Sequence, residues 1–246
     1  MKFQNEYDCW HTRNQNLDPA HDDASSPWYS WVQQSLGEVC GLRVLEVACG
    51  RGGFIRRLSG AGARAYGVDF SFAAVHLAKR KTLEADPSLS VCLVQGDAHA
   101  LPFPDNFFDL TVSCETIEHL PLPDKAVREF YRVTRPGGRL FLTTPNYLNF
   151  MGLYEIYAKV RHPARTPDQP FDRLQVFVQT RALLKHAGWR IVHSDGMVHQ
   201  IPFFPGHDPV RIEGLESNAH IRKLLSIFAY HYCLVAQKDD KQQPGW

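Results

Sequence analysis

A glycine-rich turn and the acidic residues around it are the features of this sequence whose types and spacing best support chemistry. The turn reads Glu-Val-Ala-Cys-Gly-Arg-Gly-Gly from Glu46 to Gly53 and follows an apolar segment. Glycines at such a turn let the backbone approach a ligand, and the helix that follows presents unpaired N–H groups there. Asp69 follows Gly50 by 19 residues, a spacing at which a carboxylate accepts hydrogen bonds from ribose hydroxyls. These features predict a site for a nucleotide or a nucleoside.

The glycine turn alone fits two kinds of cofactor, and Asp69 fits both. Nicotinamide and flavin domains carry a third small residue after the second glycine of the turn, but Gly52 is followed here by Gly53, Phe54 and Ile55. Glu46 would repel a pyrophosphate, whereas it would attract the amino group of a methionine moiety. The turn therefore favours a cofactor without phosphate.

A third acidic residue, Asp97, stands in the motif Gln-Gly-Asp-Ala at the end of a predicted strand. Its side chain can accept a hydrogen bond from an adenine amino group, and the N–H of Ala98 can meet the ring. Acidic residues at three successive strand ends indicate a nucleoside that bears no phosphate. A positively charged sulfonium group is compatible with all three.

The elements that must position these residues alternate between strands and helices. From residue 42 onward, short apolar runs alternate with helical patterns, which indicates parallel strands joined by helical crossovers in an α/β fold. The predicted strands are Leu42–Val47, Arg64–Val68, Leu89–Gln95, Phe107–Ser113 and Arg139–Thr143. The predicted helices are Gly53–Leu58, Ala73–Ala85 and Asp124–Val133. The glycine turn and the acidic residues then meet at the carboxyl edge of the sheet, where open α/β sheets bind ligands.

The chain length of 246 residues fits one α/β domain with additions. We predict an N-terminal arm or lid at residues 1–40 and the domain at residues 41–240. Two segments rich in proline and aromatic residues, 145–177 and 200–220, interrupt the alternation. We expect them to be insertions that cover a substrate.

Composition narrows the classes of partner. The 27 Lys and Arg residues nearly balance 26 Asp and Glu residues and form no dense basic run, so binding to nucleic acid is not expected. No apolar run approaches the roughly 18 residues that span a bilayer, and the start lacks the apolar core of a signal peptide. The six cysteines form no C-x-x-C pair. We therefore expect a cytoplasmic protein with reduced thiols, no membrane contact and a small-molecule substrate.

Six motifs, in a fixed order along the chain, add to the prediction of a nucleoside site in an α/β fold. In one-letter code they are VLEVACGRGG at 44–53, GVDFS at 67–71, QGDA at 95–98, FDLTVS at 108–113, EHL at 118–120 and RPGGRL at 135–140. In this order they resemble the motifs of class I, Rossmann-like S-adenosylmethionine-dependent methyltransferases, in the small-molecule group that includes ubiquinone-pathway and natural-product enzymes. The resemblance implies a doubly wound, mostly parallel seven-stranded sheet with helices on both faces and an antiparallel last strand at Tyr230–Gln237.

The resemblance also implies S-adenosyl-L-methionine as cofactor and assigns parts of it to residues. Glu46 and Gly50 contact the methionine part, Asp69 the ribose, and Asp97 with Ala98 the adenine. The predicted set of cofactor-binding residues is Glu46, Ala48, Gly50, Gly52, Asp69, Phe70, Ser71, Asp97, Ala98, Cys114 and Glu115. The sequence departs from the family pattern at Ala48, where glycine is usual, and at Glu46, where aspartate is common.

A base is needed if the methyl acceptor is a hydroxyl group, and histidine titrates in the useful range. His119 is the predicted catalytic base, because it follows the fourth predicted strand at the ligand-binding edge. The alternative is that His119 packs against the next helix and shapes the pocket. The other histidines form no compact ligand pair with a carboxylate, so no metal site is predicted.

The predicted function is methyl transfer to a small molecule, with a hydroxyl oxygen as the acceptor. Carbon and nitrogen acceptors are the first alternatives. A protein or nucleic-acid methyltransferase, a nicotinamide-dependent oxidoreductase and a binding protein without catalysis are the others.

Overall fold

A computed structural model describes residues 2–13, 27–161, 170–171, 173–197, 200–201, 210–211, 220 and 229–240. The helices of this part are α1 Lys2–Arg13, α2 Pro27–Leu36, α3 Gly53–Gly60, α4 Phe72–Ala85, α5 Pro123–Val133, α6 Phe150–Arg161 and α7 Phe177–His186. The strands are β1 Arg43–Val47, β2 Arg64–Asp69, β3 Val91–Gln95, β4 Phe108–Cys114, β5 Thr134–Pro145, β6 Arg190–Met197, β7 Gln200–Ile201, β8 Val210–Arg211 and β9 His231–Gln237.

One seven-stranded sheet organises the molecule, in the order β3-β2-β1-β4-β5-β9-β6. Strands β1 to β5 pair in parallel, and β9 runs antiparallel to both of its neighbours. The predicted fold is confirmed. Because β9 runs against β5, its first residue, His231, pairs with Pro145 at the carboxyl end of β5. The start of β9 therefore lies at the same edge as the ends of the parallel strands.

The core consists of two apolar clusters, one on each face of the sheet. Side chains of a strand alternate between the faces, and in β1 Val44 enters the cluster with helices α2, α3 and α4 while Leu45 enters the other. That second cluster contains Phe130 of α5 and Leu184 of α7, both fully buried. Helices thus cover both faces and hold the strand ends in fixed positions.

Strand β5 differs from its prediction by starting at Thr134 rather than Arg139. The pairs between β4 and β5 shift from Phe108 with Thr134 to Leu110 with Arg139, so that residues 135–138 bulge out of the ladder. Gly137 in this bulge has φ +71° and donates its N–H to Lys238 O at 2.9 Å. The proline and glycines that suggested a turn therefore form a bulge inside a longer strand.

The predicted insertion 200–220 lies largely outside the described residues. Its described part is the antiparallel pair β7–β8 and residue 220. Among the described helices, none has the length and apolar character needed to cross a membrane. The six cysteines are free thiols.

Candidate active site

The glycine turn between β1 and α3 uses left-handed backbone at alternate residues. Ala48, Gly50 and Gly52 have φ of +57°, +52° and +81°, and Gly52 N–H closes the turn on Cys49 O at 2.9 Å. Glycine adopts this conformation without steric cost, whereas alanine does not. Ala48, where the family usually has glycine, is thus held in a strained conformation by the turn around it.

Asp69, the last residue of β2, ties this turn to the start of α4. Its Oδ2 accepts the Gly50 N–H at 2.8 Å and its Oδ1 accepts the Ser71 N–H at 2.9 Å. The pKa of Asp69 is raised to about 6, mainly by burial. The two N–H groups lower this pKa, and the negative charge of Asp8 adds to the rise. The carboxylate is therefore ionised above about pH 6 and lies beside the glycine turn.

The side chain of Asp8, on α1, contacts the start of α4. Ser71 caps α4 by accepting the Ala74 N–H at 3.1 Å, and its hydroxyl donates to Asp8 Oδ1 at 2.5 Å. The same Asp8 oxygen accepts the Ala73 N–H at 3.0 Å. Asp8 thus places a negative charge at the N-terminus of α4, where the helix dipole favours it. It lies 63 residues from Ser71 in sequence, and no local signal identified it.

His11, also on α1, covers the glycine turn. A Cβ placed on Gly50 would lie 3.9 Å from His11 Cε1, so the imidazole packs over that residue. Burial, and then the positive charge of Arg51, lowers the pKa of His11 to about 4. The neutral ring keeps Nδ1 buried without a hydrogen-bond partner among the described residues. A buried nitrogen in this state is ready to bond a ligand.

Asp97 forms a separate group at the end of β3. Its Oδ1 accepts the backbone N–H of His99 at 2.9 Å and lies 2.6 Å from His99 Nδ1. His99 Nε2 accepts the Leu122 N–H at 3.4 Å, which requires Nδ1 to carry the proton. The turn of Asp97 and Ala98 is therefore fixed to the loop before α5. The spacing Asp-x-His is the signal that would have found His99.

Glu46, Cys114 and Glu115 form a third group, at the ends of β1 and β4. Burial and then the carboxylates of Glu46 and Glu115 raise the pKa of the Cys114 thiol well above its usual value, so the thiol is neutral between two acids. Glu115 has φ +48°, and its Oε2 lies 3.0 Å from His231 Nδ1. Its other oxygen, Oε1, is buried with no hydrogen-bond partner within the described part of the chain.

This third group fits the cationic amino group of a methionine moiety. A buried carboxylate oxygen without a partner is costly and is best compensated by a charged donor. Glu46 is 5% exposed and stands at the neighbouring strand end. An acidic pocket of this kind suits a zwitterion with an adjacent sulfonium and repels a pyrophosphate.

His119 lies in a 3-10 turn, Ile117–His119, that follows β4. Its Nδ1 lies 2.6 Å from Phe171 O, and since a carbonyl can only accept, Nδ1 donates. Its Nε2 lies 3.7 Å from Glu118 Oε1, and Glu118 Oε2 accepts the Thr144 hydroxyl at 3.0 Å. His119 thus connects the end of β4 to the segment 145–177.

The predicted cofactor residues occupy one edge of the sheet in three neighbouring groups. Gly50, Asp69 and Ser71 are joined by hydrogen bonds, with Ala48, Gly52 and Phe70 in the same turns. Asp97 and Ala98 form the group at β3, and Glu46, Cys114 and Glu115 the group at β1 and β4. No role was predicted for Asp8, His11, His99 or His231. Three of the four, Asp8, His11 and His231, act through contacts with distant segments. Among the described residues, no cluster of three His, Cys, Asp or Glu side chains could hold a metal.

Comparison with known proteins identifies a methyltransferase domain. A family model described as a methyltransferase domain matches residues 45–142. A demethylmenaquinone methyltransferase from Renibacterium salmoninarum is 34% identical over 56% of this chain and 56% of its own length. A ubiquinone biosynthesis O-methyltransferase from Pseudomonas fluorescens is 29% identical over 59% of this chain and 61% of its own. The chain thus spans a little over half the length of these relatives.

A solved structure shares the fold across nearly the whole chain. It is a SAM-dependent methyltransferase from Thermotoga maritima, described as a possible histamine N-methyltransferase. Its TM-score is 0.64 with 19% identity, and the superposition covers 97% of each chain. The family model and the named relatives identify a methyltransferase domain that matches residues 45–142, and the fold is shared with an S-adenosylmethionine-dependent methyltransferase.

Proposed function

We propose that the protein transfers the methyl group of S-adenosylmethionine to a hydroxyl oxygen of a small-molecule acceptor. The observation that carries this proposal is the acidic pocket at the ends of β1 and β4, where Glu115 Oε1 is buried without a partner in the described residues. The bound cofactor supplies a methyl group already activated for transfer. The protein then needs to bind, orient and exclude water.

Each acidic group takes one part of the cofactor in this proposal. Glu46 and Glu115 receive the amino group of the methionine part, and the Gly50 turn lies against it. Asp69 accepts the ribose hydroxyls, since each carboxylate oxygen has a second lone pair besides the one used by a backbone N–H. Asp97 accepts from the adenine amino group with Oδ2, because Oδ1 already accepts from His99.

Helix α1 closes this pocket as the predicted N-terminal lid. The support is the pair of bonds from Ser71 and Ala73 to Asp8 and the position of His11 over Gly50. The buried Nδ1 of His11 offers a hydrogen bond to the cofactor. The closed helix excludes water from the reacting atoms.

The acceptor side is aromatic. Tyr147, in the segment 145–177 that we propose covers the acceptor, packs edge to face with Tyr230 at a ring-centroid distance of 6.5 Å. Pockets for flat molecules are mostly apolar with a few polar groups. The O-methyltransferase of ubiquinone biosynthesis among the relatives supports a phenolic acceptor. His119 is the base that the sequence predicts for this hydroxyl.

The test is the transfer of label from S-adenosylmethionine carrying a radioactive methyl group. The full chain is incubated with a panel of soluble phenols and catechols that includes 3,4-dihydroxybenzoate. We expect labelled methyl ethers from at least one of them. The matched controls are the same compounds with every hydroxyl already methylated, which should gain no label. Label that enters the blocked compounds would indicate an acceptor other than a hydroxyl oxygen, and no transfer to any compound would contradict the proposal.

A further inference from the structure

His231 reaches the active-site edge because β9 is antiparallel to its neighbours. It is the first residue of β9 and pairs with Pro145, the last residue of β5. The strands that carry the predicted cofactor residues end at the same edge. His231 thus lies on the acceptor side of the site, next to Tyr230, although it is far from the other site residues in sequence.

Glu115 fixes the imidazole of His231. Its Oε2 lies 3.0 Å from Nδ1, and the two side chains are 27% and 24% exposed. A carboxylate can only accept, so Nδ1 carries the proton and Nε2 carries the lone pair. The hydrogen bond on one ring nitrogen sets the tautomer and leaves the lone pair on the other nitrogen. Catalytic histidines oriented by a carboxylate use the same arrangement.

The pair adjoins the acidic pocket that receives the methionine part of the cofactor. Glu115 follows Cys114, whose thiol is under the electrostatic influence of both Glu46 and Glu115. Glu115 also adopts a left-handed backbone conformation, at φ +48°, which is unfavourable for a residue with a side chain and concentrates at functional sites. Its Oε2 faces His231, while its Oε1 is buried without a partner among the described residues.

We propose that His231, oriented by Glu115, accepts the proton of the acceptor hydroxyl during methyl transfer. The inference rests on the proposed function. The hydroxyl proton moves to Nε2 as the oxygen forms its bond to the methyl carbon. The bond between that carbon and sulfur breaks, and its electron pair stays on sulfur. The products are a methyl ether, S-adenosylhomocysteine and an imidazolium that Glu115 stabilises until the proton passes to solvent.

His119 is engaged differently. Its Nδ1 donates to the backbone carbonyl of Phe171, and its Nε2 faces Glu118 Oε1 at 3.7 Å. The Glu118 side chain is only 2% exposed, so this side of the ring points toward the protein interior. We assign His119 the role of a positioning residue that fastens the segment over the acceptor.

The kinetic test compares two histidine variants in the full chain, with the acceptor found in the labelling experiment. His231→Asn should lower kcat by about 10²-fold or more, with the Kd for S-adenosylmethionine kept within about 2-fold. His193→Asn is the matched control, because His193 is half-buried on β6 and pairs with Val235 further along β9. It should leave kcat unchanged. A His231→Asn enzyme that binds the cofactor and keeps full kcat would overturn the proposal.

A second measurement does not depend on activity. The 15N NMR spectrum of the wild-type protein above neutral pH should show that Nδ1 of His231 is protonated and Nε2 is unprotonated. Free neutral histidine favours the opposite tautomer, so Glu115→Ala should shift His231 toward protonated Nε2. An unchanged tautomer in Glu115→Ala would overturn the pairing. A wild-type chain that binds S-adenosylmethionine but methylates no hydroxyl would instead contradict the proposed function, which separates the two failures.

Discussion

The two halves of the active-site edge are built from different kinds of contact. In the cofactor half, Asp69 and Asp97 bond backbone groups two residues away, at Ser71 and His99, and Asp8 adds one contact from helix α1. In the acceptor half, side chains join segments far apart in sequence: Glu115 and His231 are separated by 116 residues, and His119 and Phe171 by 52. The cofactor half can therefore be recognised in a sequence motif. The acceptor half exists only in the folded chain.

The largest expected effect is in the cofactor half. Asp69→Asn removes the charge that we propose accepts the ribose hydroxyls, and hydrogen bonds to charged groups contribute about 1.5–3 kcal/mol each. We expect the Kd for S-adenosylmethionine to rise by about 10²-fold, measured by calorimetry. The control is Asp86→Asn, an exposed aspartate that caps a turn at Ser88. An Asp69→Asn protein with wild-type affinity would show that Asp69 only shapes the turn.

The pH dependence of S-adenosylmethionine binding also tests the role of Asp69. The pKa of Asp69 is raised to about 6, so the carboxylate is ionised at pH 8 and protonates as the pH falls through 6. Binding that needs the ionised form should weaken by about 10-fold between pH 8 and pH 5. His11, with its pKa lowered to about 4, stays neutral over this range and does not contribute. The dependence should be absent in Asp69→Asn, and an equal slope in that variant would assign it to another group.

His119→Ala tests the acceptor half with a smaller expected effect. Loss of the bond to Phe171 O loosens the segment over the acceptor, so we expect the acceptor KM to rise by about 5-fold, the cost of roughly one hydrogen bond. The kcat should change by less than about 3-fold and cofactor affinity should be kept. If kcat instead falls by about 10²-fold, His119 is the base, as the sequence predicts.

The smallest effect concerns stability at the glycine turn. Alanine in the left-handed region costs about 1–2 kcal/mol of folding free energy. Glycine avoids this strain but costs about 0.5–1 kcal/mol, because it loses more conformational entropy on folding. Ala48→Gly should therefore stabilise the protein by about 0.5–1 kcal/mol and raise Tm by about 2 °C. Ala182→Gly, at an exposed position inside α7, should lower Tm, because glycine disfavours a helix interior. Equal losses from both changes would show that Ala48 is not strained.

The sequence predicted the regions that local chemistry determines. The strands β1, β2 and β4 lie within one residue of their predicted bounds, because apolar runs flanked by glycine and acidic residues define them. The start of β5 was missed, since whether Pro136 and Gly137 form a turn before the strand or a bulge inside it depends on pairing with β4.

The acceptor half could be predicted only in part. His119 followed a predicted strand end and was found, but its bond to Phe171 O depends on the path of the segment 145–177. His231 carried no local signal. Its role follows from the reversal of β9, which brings it to Glu115, and the same holds for Asp8 on α1, which meets Ser71 across the cofactor edge.

The most direct test of the central claim is calorimetric titration of the full chain with S-adenosylmethionine and, separately, with NADH. The acidic edge of Glu46, Asp69, Asp97 and Glu115 should accept the sulfonium nucleoside and reject the pyrophosphate. We predict saturable binding of S-adenosylmethionine with one site per chain and no binding of NADH. Saturable NADH binding without S-adenosylmethionine binding would contradict the account.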